Sequence, residues 1–154
     1  MKAYDIKEKR PFIGIILKIN NINYFAPLSS PKEKHKKMKN NIDFLKINNG
    51  RDGVINLNNM IPIPYKYYYK IDINEEIKKD KKYGLILKYQ IIWCNKNLEK
   101  IIKNAEKLYF LVSNNKANLN VKRRCCNFKF LETKLNQFIL NQFILNQEKS
   151  EQNF

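Results

Sequence analysis

The chain reads as an α+β domain. Two patterns predict it. β-Branched apolar runs separated by turn residues crowd the first half, and apolar residues at three- and four-residue spacing fill the second. A third observation sets the scale: 154 residues with 44% hydrophobic content suit one folded domain with one core. Phe12–Leu17 is a short, mostly β-branched run, and Ile22–Ala26 is its returning partner across an Asn20-Asn21 turn. Ile42–Ile47 is the third expected strand, Asn48-Asn49-Gly50 a turn, and Val54–Leu57 the fourth strand. Pro62 and Pro64 interrupt regular structure after Ile61.

Helices follow. Asn74 is the expected cap, with Glu75 and Glu76 in the first turn. The stripe Ile77, Leu85, Ile92 runs to about Trp93 and is interrupted by Gly84. Leu98, Ile101, Ile102, Ala105, Leu108 and Tyr109 form an amphipathic helix, and Phe128, Leu131, Leu135 and Phe138 a last one. The polar segment Ser113–Lys122 between them reads as a loop. Leu135-Asn136-Gln137-Phe138-Ile139 recurs as Leu140–Ile144, and Leu145-Asn146-Gln147 begins a third copy. A period of five matches no common repeat fold, so this is a local tandem duplication that lengthens the last helix. The expected domain is 1–147, with 148–154 a flexible tail.

A formal net charge of +16, from 30 basic and 14 acidic residues, calls for an anionic partner. Nucleic acid comes first and an anionic membrane surface second. The richness in Lys, Asn and Ile with few Arg also fits A/T-biased codons, which inflate lysine without function. Cys94, Cys125 and Cys126 are odd in number, two are adjacent, and they lack paired CxxC spacing. They are packing residues of a protein in a reducing cytosol. The polar N-terminus shows no secretory pattern, and no apolar run is long enough to span a bilayer.

The segment Phe25–Lys39 concentrates the chemistry. An apolar strand leads into Ser29-Ser30, then Pro31-Lys32-Glu33-Lys34-His35-Lys36-Lys37-Met38-Lys39. Ser30-Pro31-Lys32-Glu33 fits a capping box, with Ser30 as the N-cap and Pro31 the first helical residue. That is a sufficient structural reason for those residues. The same helix start, backed by lysines, also suits a phosphate. On that helix Lys32 and Lys36 fall one turn apart. Most of these lysines are a solvated surface; Lys32, beside the hydroxyls, stands apart. With one His and no acids paired near it, metal-dependent hydrolysis is poorly supplied, although acids gathered by the fold stay open. His35 is too near Ser30 for a Ser-His-acid arrangement. RNA offers its own nucleophile, the 2′-hydroxyl, leaving alignment, proton removal and stabilisation of a dianionic phosphorane to the protein. The products would be a 2′,3′-cyclic phosphate and a 5′-hydroxyl.

Arg10-Pro11-Phe12-Ile13-Gly14-Ile15, Tyr24–Lys32, His35–Lys39 and Gly53–Pro62 occur in an order that closely resembles the ToxN/AbiQ family, over roughly residues 4–135. These are endoribonuclease toxins of type III toxin–antitoxin systems. The resemblance implies a compact, bent antiparallel sheet of the MazF/CcdB barrel type with surrounding helices. It implies a single ribonuclease toxin domain and metal-independent, sequence-selective cleavage of RNA at adenine-rich sites. It implies inhibition by a pseudoknotted repeat RNA that the toxin cuts from its precursor, a closed ring of toxin and RNA, and phage defence by abortive infection. No cofactor, metal or membrane partner is implied.

By position, Ser30 matches the family's catalytic hydroxyl, Ser29 its neighbouring Ser/Thr and Lys32 its active-site lysine. Arg10 falls where some members carry a catalytic lysine; it keeps the charge without a titratable proton, so it reads as a phosphate clamp. An upstream tyrosine used by some members has no clear equivalent, Tyr4 being out of register, so the acceptor of the 2′-hydroxyl proton stays open. Lys34, Lys36, Lys37, Lys39, Arg51, Arg123 and Arg124 are candidate RNA contacts. His35 is either another such contact or a surface residue. Tyr65–Lys70 interleaves aromatics with cations, as a base-stacking surface or an edge strand with tyrosines turned inward. Asn56, Asn58 and Asn59 read as turn formers before base readers. A non-catalytic RNA-binding protein and a CcdB-like toxin aimed at DNA gyrase are the competing classes.

Overall fold

The computed structural model of the chain describes residues 12–151. Strands β1 (Gly14–Ile19) and β2 (Ile22–Ser29) form the expected hairpin. Asn20 (φ 47°) and Asn21 (φ 64°) both turn left-handed, the turn geometry whose twist matches paired strands. Strand β2 then changes partners along its length. Helix α1 (Glu33–Lys37) follows it, before β3 (Leu45–Lys46), β4 (Val54–Ile55) and β5 (Ile61–Pro62). Tyr24 and Phe25 pair with Pro62 and Ile61, whereas Leu28 and Ser29 pair with Ile55 and Val54. The order is β1-β2-β4-β3, with β5 also beside β2, and every pairing is antiparallel. Pro27 sits where the partner changes. It has no N–H to give, while its carbonyl accepts from the Asn56 N–H at 2.9 Å. The sheet curls into a half-barrel, the bent antiparallel architecture that the resemblance implies.

Several expected boundaries move. The third strand shrinks to two residues, because a bridge between Asn41 and Phe44 closes a tight turn just before it. The turn at Asn48 (φ 47°) and Asn49 (φ 58°) stands. The fourth strand ends at Ile55, and Leu57–Asn59 forms a 3₁₀ turn. Pro62, expected as an interruption, is in a strand, at the sheet's margin where a missing N–H does no harm.

Helix α2 (Ile73–Lys79) is capped by Asp72, not Asn74; its carboxylate accepts from the N–H groups of Asn74 (2.8 Å) and Glu75 (3.2 Å). The chain then breaks at Asp80, which caps α3 (Lys81–Lys96) through the Tyr83 N–H at 3.0 Å. One interrupted helix is therefore two, and the break is not at Gly84. Gly84 serves packing: a Cβ there would lie 2.5 Å from the Ile77 nitrogen, so its absence lets α3 rest on α2. Helix α4 (Leu98–Ser113) matches expectation. The expected loop after it contains a short helix, α5 (Leu119–Arg124), because the Asn118 side chain caps the Val121 N–H at 2.9 Å. Helix α6 (Phe128–Glu151) runs past residue 147.

The core lies between the curled sheet and α4. Leu17, Ile19, Tyr24, Ile55 and Leu57 meet Ile101, Ala105, Leu108 and Tyr109, with Phe128 from α6 closing one end. Tyr24 lies edge-on to Tyr109 and Phe128, at ring separations of 5.9 and 6.1 Å, and Tyr109 stacks on Phe128 at 5.8 Å. Both tyrosine hydroxyls donate to Glu132 Oε1 at 2.7 Å. Burial works against the Glu132 charge, but bonds from Tyr109 and Tyr24 and the Lys129 ammonium outweigh it and hold its pKa below the usual carboxylate range. Burial and that same carboxylate push the Tyr24 phenol far up. Replacing Glu132 with Ala leaves two enclosed hydroxyls unpaired, and urea unfolding should show a loss of about 2–4 kcal/mol. Tyr24→Phe, which removes donor and need together, should cost about 1 kcal/mol.

Candidate active site and nucleic-acid interface

The hydroxyl pair sits where β2 ends. Ser29 is the last residue of β2, paired with Val54, and Ser30 follows, exposed. Two amides hold this end and a glycine makes room for it. Gln90 of α3, only 2% exposed, donates through Nε2 to the Ser29 carbonyl at 3.3 Å and to the Asp52 carbonyl at 2.8 Å. Asn56 donates through Nδ2 to Ser29 Oγ at 2.8 Å and to the Pro27 carbonyl at 3.3 Å. Gly53, at φ 101°, lies so close that a Cβ would fall 1.9 Å from the Ser29 carbonyl oxygen.

The capping box does not form. Helix α1 begins at Glu33, and its N-cap is Lys32, extended at φ −138° and ψ 149°, with no side-chain cap bond. Pro31 disfavours helical geometry at Ser30, so the chain leaves the strand extended through the hydroxyls. A five-residue helix contributes little dipole, so the positive field here comes from the ammonium groups. Ser30 and Lys32 are both solvent-exposed and two residues apart.

Lys34, Lys36, Lys37 and Lys39 are exposed on and after α1. Lys36 pairs with Glu33 at 2.7 Å, an exposed ion pair of small energetic weight. Lys46 closes the other end of α1, donating to the carbonyls of Lys36 and Met38 at 3.0 Å. The turn Ile47–Gly50 packs on α1 and brings exposed Arg51 beside it, where its guanidinium donates to Asn48 Oδ1 at 3.0 Å.

His35 is not a surface residue. It is 4% exposed and its Nδ1 is buried without a partner, so the ring is part of the packing under α1 rather than a group presented to RNA. Arg123 is exposed on α5, but Arg124 is committed elsewhere: its Nε donates to buried Asp43 at 2.8 Å. Asn58 ties the same corner, accepting at its carbonyl from the Cys126 N–H at 2.9 Å and donating from Nδ2 to the Arg124 carbonyl at 3.1 Å. Arg10 lies outside the described residues. Tyr65–Tyr67 is a 3₁₀ turn rather than an edge strand, with Tyr65 and Tyr69 about four-fifths exposed. Tyr67 rests on Phe138 of α6 at 5.5 Å.

Gln90 is the site residue that sequence reasoning missed, being 61 residues from the serine it holds; Asn56 read as a turn former before a base reader, and its hold on Ser29 was not foreseen. Burial raises the thiol pKa of Cys94 to about 11 and of Cys125 to about 12, which suits packing rather than nucleophilic chemistry. Among the described residues no three His, Cys, Asp or Glu side chains gather as metal ligands. Two hollows of about 310 and 350 Å³ flank α4 and α6, and neither includes Ser29, Ser30 or Lys32. Ser30 and Lys32 lie exposed at the end of β2, where a polymer can reach them.

The fold and the placing of these residues define a class: the chain belongs to the ToxN toxin family of type III toxin–antitoxin systems, whose profile matches residues 1–136. Endoribonuclease ToxN of Bacillus thuringiensis subsp. kurstaki is 32% identical over 139 residues, 87% of this chain and 71% of that protein. A solved structure from a study of selective toxin inhibition by a non-coding RNA pseudoknot aligns with a TM-score of 0.69 at 32% identity, covering 87% of this chain and 82% of that one. AbiQ, a lactococcal anti-phage endoribonuclease, aligns at 0.64 and 30% identity, covering 82% and 78%.

His35 makes a prediction about stability. Burial first, then the charges of Lys34 and Lys32, lower its pKa from 6.5. The unfolded chain therefore takes up this proton at a higher pH than the folded one. The stabilisation is complete above about pH 6.5 and is lost as pH falls through the folded-state value. Denaturation midpoints measured from about pH 8 to about pH 5 should fall below pH 6.5, and His35→Gln should flatten that slope. A slope unchanged in the variant would assign it to other groups.

Proposed function

We propose that this chain is an endoribonuclease toxin that cleaves RNA sequence-selectively, at adenine-rich sites, without a metal ion. The observation that carries the reading is the strand end itself: two hydroxyls, one of them held by an amide, beside Lys32, on a chain of net charge +16 that belongs to an endoribonuclease family. The substrate's 2′-oxygen attacks the adjacent phosphorus and the P–O5′ bond breaks. The 2′-hydroxyl proton leaves to a base, and the departing 5′-oxygen gains one. Products carry a 2′,3′-cyclic phosphate and a 5′-hydroxyl. Ser30 and Lys32, with Ser29 and Arg10, supply donors and charge to the crowded phosphorane. Preorganisation is what Ser29 offers, because Asn56 holds its hydroxyl before charge develops.

The exposed lysines of α1, with Arg51 and Arg123, supply backbone affinity by releasing counterions from the phosphates. The inhibitor is a pseudoknotted repeat RNA, which the toxin also cuts from its precursor and with which it closes into a ring. RNA inhibition and anti-phage activity in the aligned structures support this partner and a role in abortive infection. Among the described residues no helix is long and apolar enough to cross a membrane, in keeping with a cytoplasmic place of action.

Cleavage of adenine-rich RNA should persist in excess EDTA and yield 5′ ends that a polynucleotide kinase labels without prior phosphatase. Loss of cleavage on chelation, or 5′-phosphate products, would refute the mechanism. Ser30→Ala and Lys32→Ala should each slow single-turnover cleavage by more than about tenfold. RNA bound but left intact by the unmodified protein would favour the non-catalytic reading, and toxicity that survives Ser30→Ala would favour a protein target.

A further inference from the structure

We propose that Asn56 is a positioning residue that aims the Ser29 hydroxyl proton out of the sheet, toward the phosphate; this rests on the ribonuclease reading above. Asn56 Nδ2 lies 3.3 Å from the Pro27 carbonyl and 2.8 Å from Ser29 Oγ. A carbonyl can only accept, so the amide must present its NH₂ to this side. Its two hydrogens then meet two acceptors, Pro27 O and Ser29 Oγ. With an N–H donated into it, Ser29 Oγ acts here as acceptor, and its own proton is left to donate elsewhere. A hydroxyl that accepts one hydrogen bond also becomes a stronger donor of the next. The contact therefore orients and strengthens the donor that a phosphorane oxygen requires.

Asn56 is well placed to do this because it cannot drift. It directly follows β4, whose Val54 and Ile55 pair with Ser29 and Leu28. Its own N–H is fixed on the Pro27 carbonyl at 2.9 Å, and Leu57 beyond it is fully buried. From another direction Gln90 holds the Ser29 carbonyl, and Gly53, lacking a Cβ, leaves room for that carbonyl to sit there. The serine backbone is thus set by Gln90 and its side chain by Asn56. The strand pairing does not need the Asn56 side chain, since backbone bonds already join β2 to β4.

A double-mutant cycle tests this, with single-turnover cleavage of an adenine-rich RNA read beside RNA affinity by fluorescence anisotropy and thermal melting. Asn56→Ala should slow cleavage by about tenfold, the worth of one well-made hydrogen bond, while affinity stays within about twofold. Asn56→Asp turns the contact around, drawing the serine proton inward, and should do no better. Added to Ser29→Ala, Asn56→Ala should slow cleavage no further. Additive losses, an unchanged rate in Asn56→Ala, or parallel losses of rate, affinity and melting temperature would overturn the inference. If Ser29→Ala cleaves normally while Ser30→Ala does not, the ribonuclease reading survives and this inference falls. An unmodified protein that leaves RNA intact ends both.

Discussion

Pro27 imposes the constraint on which the site depends. A proline has no N–H, so although the ladder with β1 runs on through Pro27, no single partner continues past this point on the other edge of β2. The strand takes β5 as its partner before Pro27 and β4 after it, and the sheet curls between the two pairings. The Pro27 carbonyl is used twice from one residue, by the backbone N–H and the side-chain amide of Asn56. That residue then reaches Ser29. The curl that shapes the half-barrel and the bond that sets the serine hydroxyl have one origin.

The second half of the chain serves the same end through packing. Helix α3 carries Gln90 to the strand end, a long-range polar contact made almost out of solvent. Helices α4 and α6 lock the far end of β2 through Tyr24, Tyr109, Phe128 and the Glu132 carboxylate. β2 is therefore held from both ends, by an aromatic and carboxylate cluster near its start and by two amides at its finish. Buried polar groups that are well paired in this way rigidify a fold because unpairing them is costly.

Charge is arranged differently from packing. Among the described residues the cations of α1 are exposed and only Lys36 is in an ion pair, so they cost the fold little and remain available for an anion. Arg124 differs from them: its Nε lies on buried Asp43, and breaking that pair would strand a charge in the interior. The five-residue repeat is also separate from the site. Five residues advance a helix by 140° beyond one turn, so successive copies face different ways. Phe138 lies against the ring of Tyr67, while Phe143, Ile144 and Leu145 remain exposed.

Local rules determined much of this protein from sequence. Paired asparagines with room for positive φ made the hairpin turn readable, and regular spacing made α4 readable. The ordered run from Phe25 to Lys39 pointed to the hydroxyl and lysine site, because residue types adjacent in sequence must be neighbours in space. Where two local signals competed, the outcome rested with the tertiary structure. Pro31 after Ser30 could begin a helix or prolong an extended chain, and pairing of Ser29 with Val54 favoured the latter. Burial of His35, the division of labour between Arg123 and Arg124, and the hold of Asn56 and Gln90 on Ser29 depend on groups 27 to 81 positions apart. No period or motif encodes such distances. Only the closing of the sheet on its helices brings those groups together, since a hydrogen bond acts over about 3 Å and is indifferent to separation along the chain.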